Sequence, residues 1–569
     1  MGSNMSFSNI GRRIFSLVFL SAFLLTSKAN LTAITVSPIQ DLLRHRIEAA
    51  GVPVKISIDQ ELIYSSIVLA VFYERRVYRP AWIDTEANFH NAGSLLKIIR
   101  EVDREGLRPK DYHLEKIETI LSELQGLQTR QKPLNPDQLV DIDLLLTDAF
   151  LILGSHLYSG KINPETVDPQ WHVNRRKRDM AQLLETALAS NQIETALYSL
   201  LPGHKGYARL RQALTRYRQI AEKSGWPAVS KGPKLQKGDR SDRIPALRQR
   251  LAVEGLIEIQ SVNDGTLFDD ALEQALREYQ RLNGLETDGI FGTQTLQALN
   301  ISAEQRVRQI IVNMERWRWL PQDWGHRYVL VNIASFTLDV IENEQLVMDM
   351  RVIAGKPYRR TPVFSDRVTY LVMNPSWEVP NKIARKDLLP KIKKDPQFLY
   401  QQRIKVFKGW GPNSGEINPV DVDWKAVTES NFKYRFRQAP GPQNALGRIK
   451  FMFPNQFDVY LHDTPAKNLF GKSRRDFSSG CIRMEKPVEF AEYLLRNHPA
   501  WPPEKIRSSL SGSEPVEQTV QIPEPINIHI LYWTVWLGHD SLINFSPDIY
   551  GRDSDLDAAL QKPRPGPSS

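Results

Sequence analysis

Apolar positions in the first third of the chain recur every three to four residues. In "SSIVLAVFYERRVYRPAWID" (65–84) and "LVDIDLLLTDAFLILGSHLYSGKI" (139–162) they form helical stripes, and Arg79-Pro80 and Ser159-Gly160 supply stop signals. This predicts a helical scaffold over 30–234, with Tyr73, Tyr78 and Trp82 in its core and no cluster of catalytic type. Beyond the turn-rich "SKGPKLQKGDRS" (230–241), "IPALRQRLAVEGLI" (244–257) and "FDDALEQALREYQRLNGLETDGIFGTQTLQALN" (268–300) predict a small three-helix module over 235–300. Its glycines suit tight turns, and Thr293 is placed to cap the last helix. A connecting helix follows over 301–325.

The period then changes to two. "RYVLVNIASFTLDVIENEQLVMDMRVIAG" (327–355) alternates apolar and polar residues around a hairpin corner at Glu342-Asn343-Glu344, and strand patches recur at "RVTYLVM" (367–373), "RIKFMF" (448–453) and "FDVYLH" (457–462). The chain therefore reads as multidomain α+β, its β part a mostly antiparallel sandwich over 326–500. A long insertion over 381–444 interrupts that sandwich, and such insertions are more often functional lids than idle loops. "INIHILYWTVWL" (526–537) adds a strand within a C-terminal extension over 501–561, its His529 and two tryptophans read as packing. The tail 562–569 is expected to be disordered.

Length and composition narrow the class. At 569 residues, 41% hydrophobic and 24% charged, the chain exceeds one core and has apolar material for several. Arg12-Arg13, the apolar run 14–25 and Ser27-Lys28-Ala29 form a basic region, a hydrophobic region and a small-x-small site, the pattern of a secretory signal over 1–29. That run is too short to span a bilayer, so the mature chain is expected to be soluble. No cysteine follows the signal, which argues against a lipid anchor. Without the three cations Arg12, Arg13 and Lys28 the net charge of +9 falls to +6, which suits an anionic surface such as a cell wall. No basic run interleaved with aromatics points to nucleic acid.

Cys481 is the single cysteine. A lone thiol in an exported chain is either a small buried hydrophobe or a reactive group. Its surroundings favour the second. A cysteine nucleophile acts as thiolate and needs a partner that takes its proton. His462 ends the strand-like "VYLH" nineteen positions upstream, and two strands joined by "AKNLFGKSRRDFSSG" can bring the two together. Gly480 leaves the backbone open, so that the amides of Gly480 and Cys481 can hold an oxyanion. Lys472, Arg474, Arg475 and Arg483 favour the thiolate and attract a carboxylate.

"HDTP" followed by "SSGCIR" closely resembles the signature of the L,D-transpeptidases, cell-wall cross-linking enzymes of the YkuD fold. "NPSWEVP" (374–380), "RQAPGPQNALGRIKFMFPN" (437–455) and "DIYGRD" (548–553) extend the likeness to the large periplasmic members. Tyr279-Gln280, Gly284-Leu285, Asp288-Gly289, Gly292, Thr295 and Ala298-Leu299 resemble the type 1 peptidoglycan-binding domain. One departure is Ser479, where many members carry His before Gly-Cys.

The resemblance implies that Cys481 attacks the third-residue carbonyl of a tetrapeptide stem, expels D-Ala, and passes the acyl group from the thioester to an amine, giving a 3→3 cross-link. His462 would be the general base, Gly480 an oxyanion donor, and Trp377 and Tyr460 would pack the stem or belong to the core. Ser478, Ser479 and Arg483 would order the substrate site, with structural roles for Ser478 and Arg483 equally open. Carbapenem-type β-lactams would acylate the thiol. No metal or other cofactor is implied, other cell-wall synthesis proteins are candidate partners, and the expected location is the periplasm, against the wall. Alternatives are an L,D-carboxypeptidase and a non-catalytic wall-binding scaffold.

Rival chemistries fit poorly. No two histidines lie closer than His529 and His539, ten apart, which argues against a zinc peptidase. The Ser-x-x-Lys pattern of a serine penicillin-binding enzyme occurs at Ser94–Lys97 and Ser430–Lys433, but Lys-Thr-Gly is absent.

Overall fold

The computed structural model describes residues 36–562 apart from 52–53, 85, 87, 173–175, 259–264, 410–413 and 512–514. The expected signal segment and the tail 563–569 lie outside the described residues. No helix among the described residues is long and apolar enough to cross a membrane.

The N-terminal region is built around the helix Pro136–Ser159, which Asn135 opens by accepting the Asp137 amide, with Pro136 behind it, and Gly160 closes. Most of this helix is buried, Asp143 and Asp148 included. Asp143 accepts the amides of Ala81 and Trp82 and the Tyr73 hydroxyl (2.6 Å), and Asp148 accepts the amides of Tyr64 and Ser65 and faces His113. Tyr73 and Trp82 are buried as expected, and Tyr78 is partly buried against the same core. Asp143→Ala would leave the amides of Ala81 and Trp82 without their acceptor and take one of its partners from the buried Tyr73 hydroxyl. It is expected to remove about 3–5 kcal/mol of stability, read as a lowered urea midpoint.

Residues 235–300 enclose a separate small core of Leu247, Phe268, Leu276, Tyr279 and Phe291 under the helices Ile244–Val253, Asp270–Leu282 and Thr293–Leu299. Gln280 ties its turns together, donating to Asp288 and the Ile290 carbonyl and accepting from the Gly289 amide. Thr293 is the first residue of the last helix rather than its cap. Gly292 holds the cap position, and no side chain serves it.

The β region is one ten-stranded sheet closed on itself. Its circuit runs Ile449–Met452, Leu461–His462, Ile482–Met484, Gln345–Gly355, Thr337–Glu342, Arg327–Asn332, Gln518–Leu531 and Val363–Met373, which pairs back to Ile449–Met452. The two faces of the expected sandwich thus belong to one sheet, mostly antiparallel, with parallel pairs where Leu461–His462 meets Ile482–Met484 and where Gln518–Leu531 meets Arg327–Asn332. The hairpin corner falls at Asn343-Glu344, both with positive φ. The predicted strand 457–462 shrinks to Leu461–His462, because Asp458 takes a left-handed turn (φ 53°). The predicted strand 526–537 instead runs Gln518–Leu531, with Val535–Leu537 a separate short strand.

The sheet's core also receives the helices Lys205–Glu222 and Ala303–Arg318, through Tyr207, Leu214, Ile310 and Trp317, and the C-terminal helix Arg552–Gln561. The insertion carries its own core of Leu388, Ile392, Val406, Trp424 and Phe436 and its own four-stranded sheet, whose edge strand is Trp377–Glu378.

Candidate functional site

Strand register assembles a row of polar side chains. Lys450 lies opposite His462, and His462 lies beside Arg483. Their neighbours Phe451, Leu461 and Ile482 point into the core, so alternation puts Lys450, His462 and Arg483 together on the other face. One pleat earlier, Cys481 flanks Tyr460. The Ile482 amide donates to the Tyr460 carbonyl, and the Tyr460 side chain lies beside the thiol and Trp377. Trp377, just ahead of the insertion, forms the edge strand of the insertion's sheet and packs partly buried against its core.

The bend that presents Cys481 is tightly specified. Gly480 adopts φ 126°, a value that strains any other residue. Ser478 donates its hydroxyl proton to the Cys481 carbonyl (2.5 Å) and accepts the Gly480 amide (3.2 Å). Thr361 donates to the Gly480 carbonyl (2.8 Å) while accepting the Gly355 amide, and the Tyr550 hydroxyl donates to the Gly355 carbonyl (2.6 Å). Cys481 itself is partly exposed, 3.7 Å from the Asp458 carbonyl. Its amide has no protein acceptor among the described residues. Ser479 is exposed and accepts from Arg359 (2.9 Å), whose guanidinium also forks onto Asp387 of the insertion.

His462 is 4% exposed, and its Nδ1 lies 2.6 Å from the Asp463 carbonyl. Burial, reinforced by the charges of Arg483 and Lys450, pulls its imidazole down to about 3, so the ring is neutral at any ordinary pH. It sits diagonally across the strand pair from Cys481 and makes no hydrogen bond to it. Burial pushes the thiol up, while Tyr460, Lys450 and Arg483 oppose that shift. Lys450 stacks over the Tyr460 ring (4.5 Å), and neither Lys450 nor Arg483 has a carboxylate within ion-pair distance among the described residues. The Arg483 Nε is buried without a partner. The floor beneath the thiol is therefore positive and uncompensated, suited to a carboxylate.

The structure gathers Cys481, His462, Gly480, Tyr460, Trp377 and Arg483 in one place. It also separates their tasks. Ser478 turns inward, and its only proton is taken by the Cys481 carbonyl, so it has no donor to offer a ligand. The Gly480 amide is engaged by Ser478, which makes the Cys481 amide the freer oxyanion donor. Lys450, Asp463, Thr361, Arg359 and Tyr550 were not singled out from the sequence. Asp463 fixes the histidine strand, accepting the Arg448 amide (2.8 Å) and Lys467 Nζ (2.5 Å), beneath Gly447, where a Cβ would collide with its carboxylate. A signal for Lys450 existed in the alternation of "RIKFMF", which puts it on the non-core face. The pairing that sets it beside His462 is long-range.

Three stretches match known families: residues 68–214 a "Scaffold domain", residues 240–299 a "Putative peptidoglycan binding domain", and residues 326–516 the "L,D-transpeptidase catalytic domain". The chain carries these three domains. It is 33% identical over 271 residues to a protein of Haemophilus influenzae described as "Putative L,D-transpeptidase"; the match takes in 47% of this chain and 53% of that protein. The chain thus spans about half the length of the curated relative it matches. Among solved structures it is similar to the L,D-transpeptidase of Stackebrandtia nassauensis, at 11% identity, 54% of this chain, 96% of that chain and a TM-score of 0.21. It is also similar to an L,D-transpeptidase from Xylanimonas cellulosilytica, at 14% identity, 53% of this chain, 99% of that chain and a TM-score of 0.17.

Proposed function

We propose that the L,D-transpeptidase catalytic domain on residues 326–516 forms 3→3 cross-links between peptidoglycan stems through a thioester on Cys481. The observation that carries this is the lone thiol, partly exposed on a bend that requires glycine at 480, above Lys450, His462 and Arg483 and beside a free amide. In this scheme the stem's carboxylates sit on the positive floor, and Trp377 and Tyr460 flank the peptide. The thiolate adds to the carbonyl of the third residue, a diamino acid, and the Cys481 N–H receives the oxyanion. Collapse breaks the bond to D-Ala, which departs as the amine with the proton that the thiol gave up to His462. An amine of a second stem then attacks the thioester, loses a proton to His462, and releases the thiol. A β-lactam carbonyl of the carbapenem type would acylate the same sulfur. The signal-like N-terminus and the peptidoglycan-binding domain support work in the periplasm at the wall, with other cell-wall synthesis proteins as candidate partners.

The test is incubation of the full chain with purified disaccharide-tetrapeptide, read by mass spectrometry. A dimer that has lost one D-Ala is the expected product. Tripeptide without dimer would replace the acceptor amine by water and make the protein an L,D-carboxypeptidase. Untouched substrate would leave the wall-binding scaffold.

A further inference from the structure

The strand Val363–Met373 has a neighbour from far outside the β region. Trp171–His172, inside the stretch that matches the Scaffold domain, pairs with it in parallel, Trp171 opposite Val363 and His172 opposite Phe364. The Val363 amide donates to the Gln170 carbonyl (2.9 Å). This pairing starts two residues after Thr361, whose hydroxyl holds the Gly480 carbonyl. A second contact reaches the other side of the thiol. The His172 ring lies on Phe457, 4.6 Å between centroids, and Phe457 also meets Phe364 at 4.9 Å. Phe457 precedes Asp458, the left-handed residue whose carbonyl stands 3.7 Å from the Cys481 sulfur. The Asn455 side chain accepts the amides of Phe457 (3.0 Å) and Val459 (3.3 Å), which makes the loop a tight turn with the Phe457 ring packed against the sheet's core. A non-glycine residue at positive φ keeps that conformation because its surroundings hold it.

The scaffold segment is itself anchored. Asp168 accepts the Gln170 amide (2.9 Å) and is ion-paired with Arg552 of the C-terminal helix, and both residues are buried. The Arg552 guanidinium lies against the rings of Trp171 (5.9 Å), Tyr532 and Tyr550 (5.0 Å each). Tyr550 in turn braces Gly355 and accepts the Thr361 amide (3.2 Å). A buried charge held by one carboxylate fixes the place of that carboxylate, because parting them leaves the cation unpaired. Asp168–His172 therefore abuts both carbonyls beside the sulfur. It reaches that of Gly480 through Val363 and Thr361, and that of Asp458 through Phe457.

We infer that the scaffold segment Asp168–His172 positions the thiol, with His172 setting the Asp458 turn and Asp168 fixing the segment against Arg552. Neither side chain touches the reacting atoms, so both are positioning residues. The inference takes from the proposed function only that Cys481 is the reacting group. The full chain is compared with His172→Ala and His172→Phe by iodoacetamide alkylation across pH and by turnover on disaccharide-tetrapeptide. His172→Ala frees the turn that carries Asp458. The thiol then loses a carbonyl that accepts its proton and part of the burial that raises it, so its ionisation is expected to move down toward that of a free cysteine. kcat is expected to fall at least about tenfold with KM nearly unchanged, since a misplacement of about 1 Å costs on the order of 10²-fold. His172→Phe puts a ring back on Phe457 and is expected to restore both. Asp168→Asn is expected to move the ionisation the same way. His172→Ala leaves the Asp168–Arg552 pair intact and decides the matter where Asp168→Asn does not fold. A lowered melting temperature with the alkylation midpoint unmoved would make the contact merely structural and overturn the inference, as would a phenylalanine chain that behaves like the alanine chain. A wild-type chain without turnover, in which His172→Ala still moves the alkylation midpoint, would count against the thioester reading and leave the positioning role standing.

Discussion

Cys481→Ala is expected to abolish stem acylation, lowering turnover by at least about 10⁴-fold, because removing a nucleophile removes the covalent step itself. The substitution takes away one partly exposed sulfur whose protein contacts are the Tyr460 side chain and a 3.7 Å approach to Asp458. Stability should change by about 0.5 kcal/mol or less, so a melting curve separates lost chemistry from lost folding. Cys481→Ser is the sharper variant. A serine hydroxyl ionises far less readily than a thiol and depends on a strong neighbouring base. His462, buried and drawn down to about 3, is a weak one in the resting site. The serine chain is therefore expected to be as inactive as the alanine chain, with no acyl adduct in its intact mass. An acylated serine chain would mean that His462 becomes basic once substrate covers it. Full turnover by the alanine chain would end the thioester mechanism.

Much of this site was legible because its parts are local. The bend Ser478–Cys481 depends on a glycine flanked by small hydroxyl residues, and its internal bonds from Ser478 span two and three residues. The change from a period near 3.6 to a period of two marked the β region, and the hairpin corner at Asn343-Glu344 fell where expected. What stayed hidden is what register creates. Lys450 meets His462 only because Ile449–Met452 pairs with Leu461–His462, and Arg359 meets Ser479 and Asp387 across 120 and 28 residues. The shortening of the strand before His462 was equally unreadable, since it rests on one left-handed residue, Asp458, for which the alternating pattern gives no warning. The stretch "DIYGRD" stood out by resemblance alone. Its physical task is the Tyr550 hydroxyl, which braces Gly355 and, through Thr361, the carbonyl of Gly480.

His462→Gln is expected to lower turnover by about 10²–10⁴-fold, the usual contribution of a positioned acid-base group, and to change the pH behaviour in a specific way. In a thiolate–imidazolium pair, alkylation would reach a plateau below neutrality, bounded by two ionisations. Here the ring is neutral above about 3 and the thiol is raised, so iodoacetamide alkylation of the wild-type chain should climb with pH through one ionisation and show none near 6.5. Lys450→Met should slow alkylation at a fixed pH below that ionisation, because it removes a charge that favours the thiolate. Stability carries the same signature. An unfolded histidine titrates near 6.5 and the folded ring near 3, so below 6.5 the unfolded chain binds the extra proton. The contribution of His462 is therefore fully present above 6.5 and is lost as pH falls toward 3, a difference of about 4–5 kcal/mol at the limit. His529, brought to about 4 by burial, acts in the same direction. Urea midpoints should fall from pH 6.5 to 4 in the wild type and fall less in His462→Gln. A flat wild-type profile, or an alkylation plateau at pH 5–7, would mean that His462 is charged in the folded protein and paired with the thiol after all.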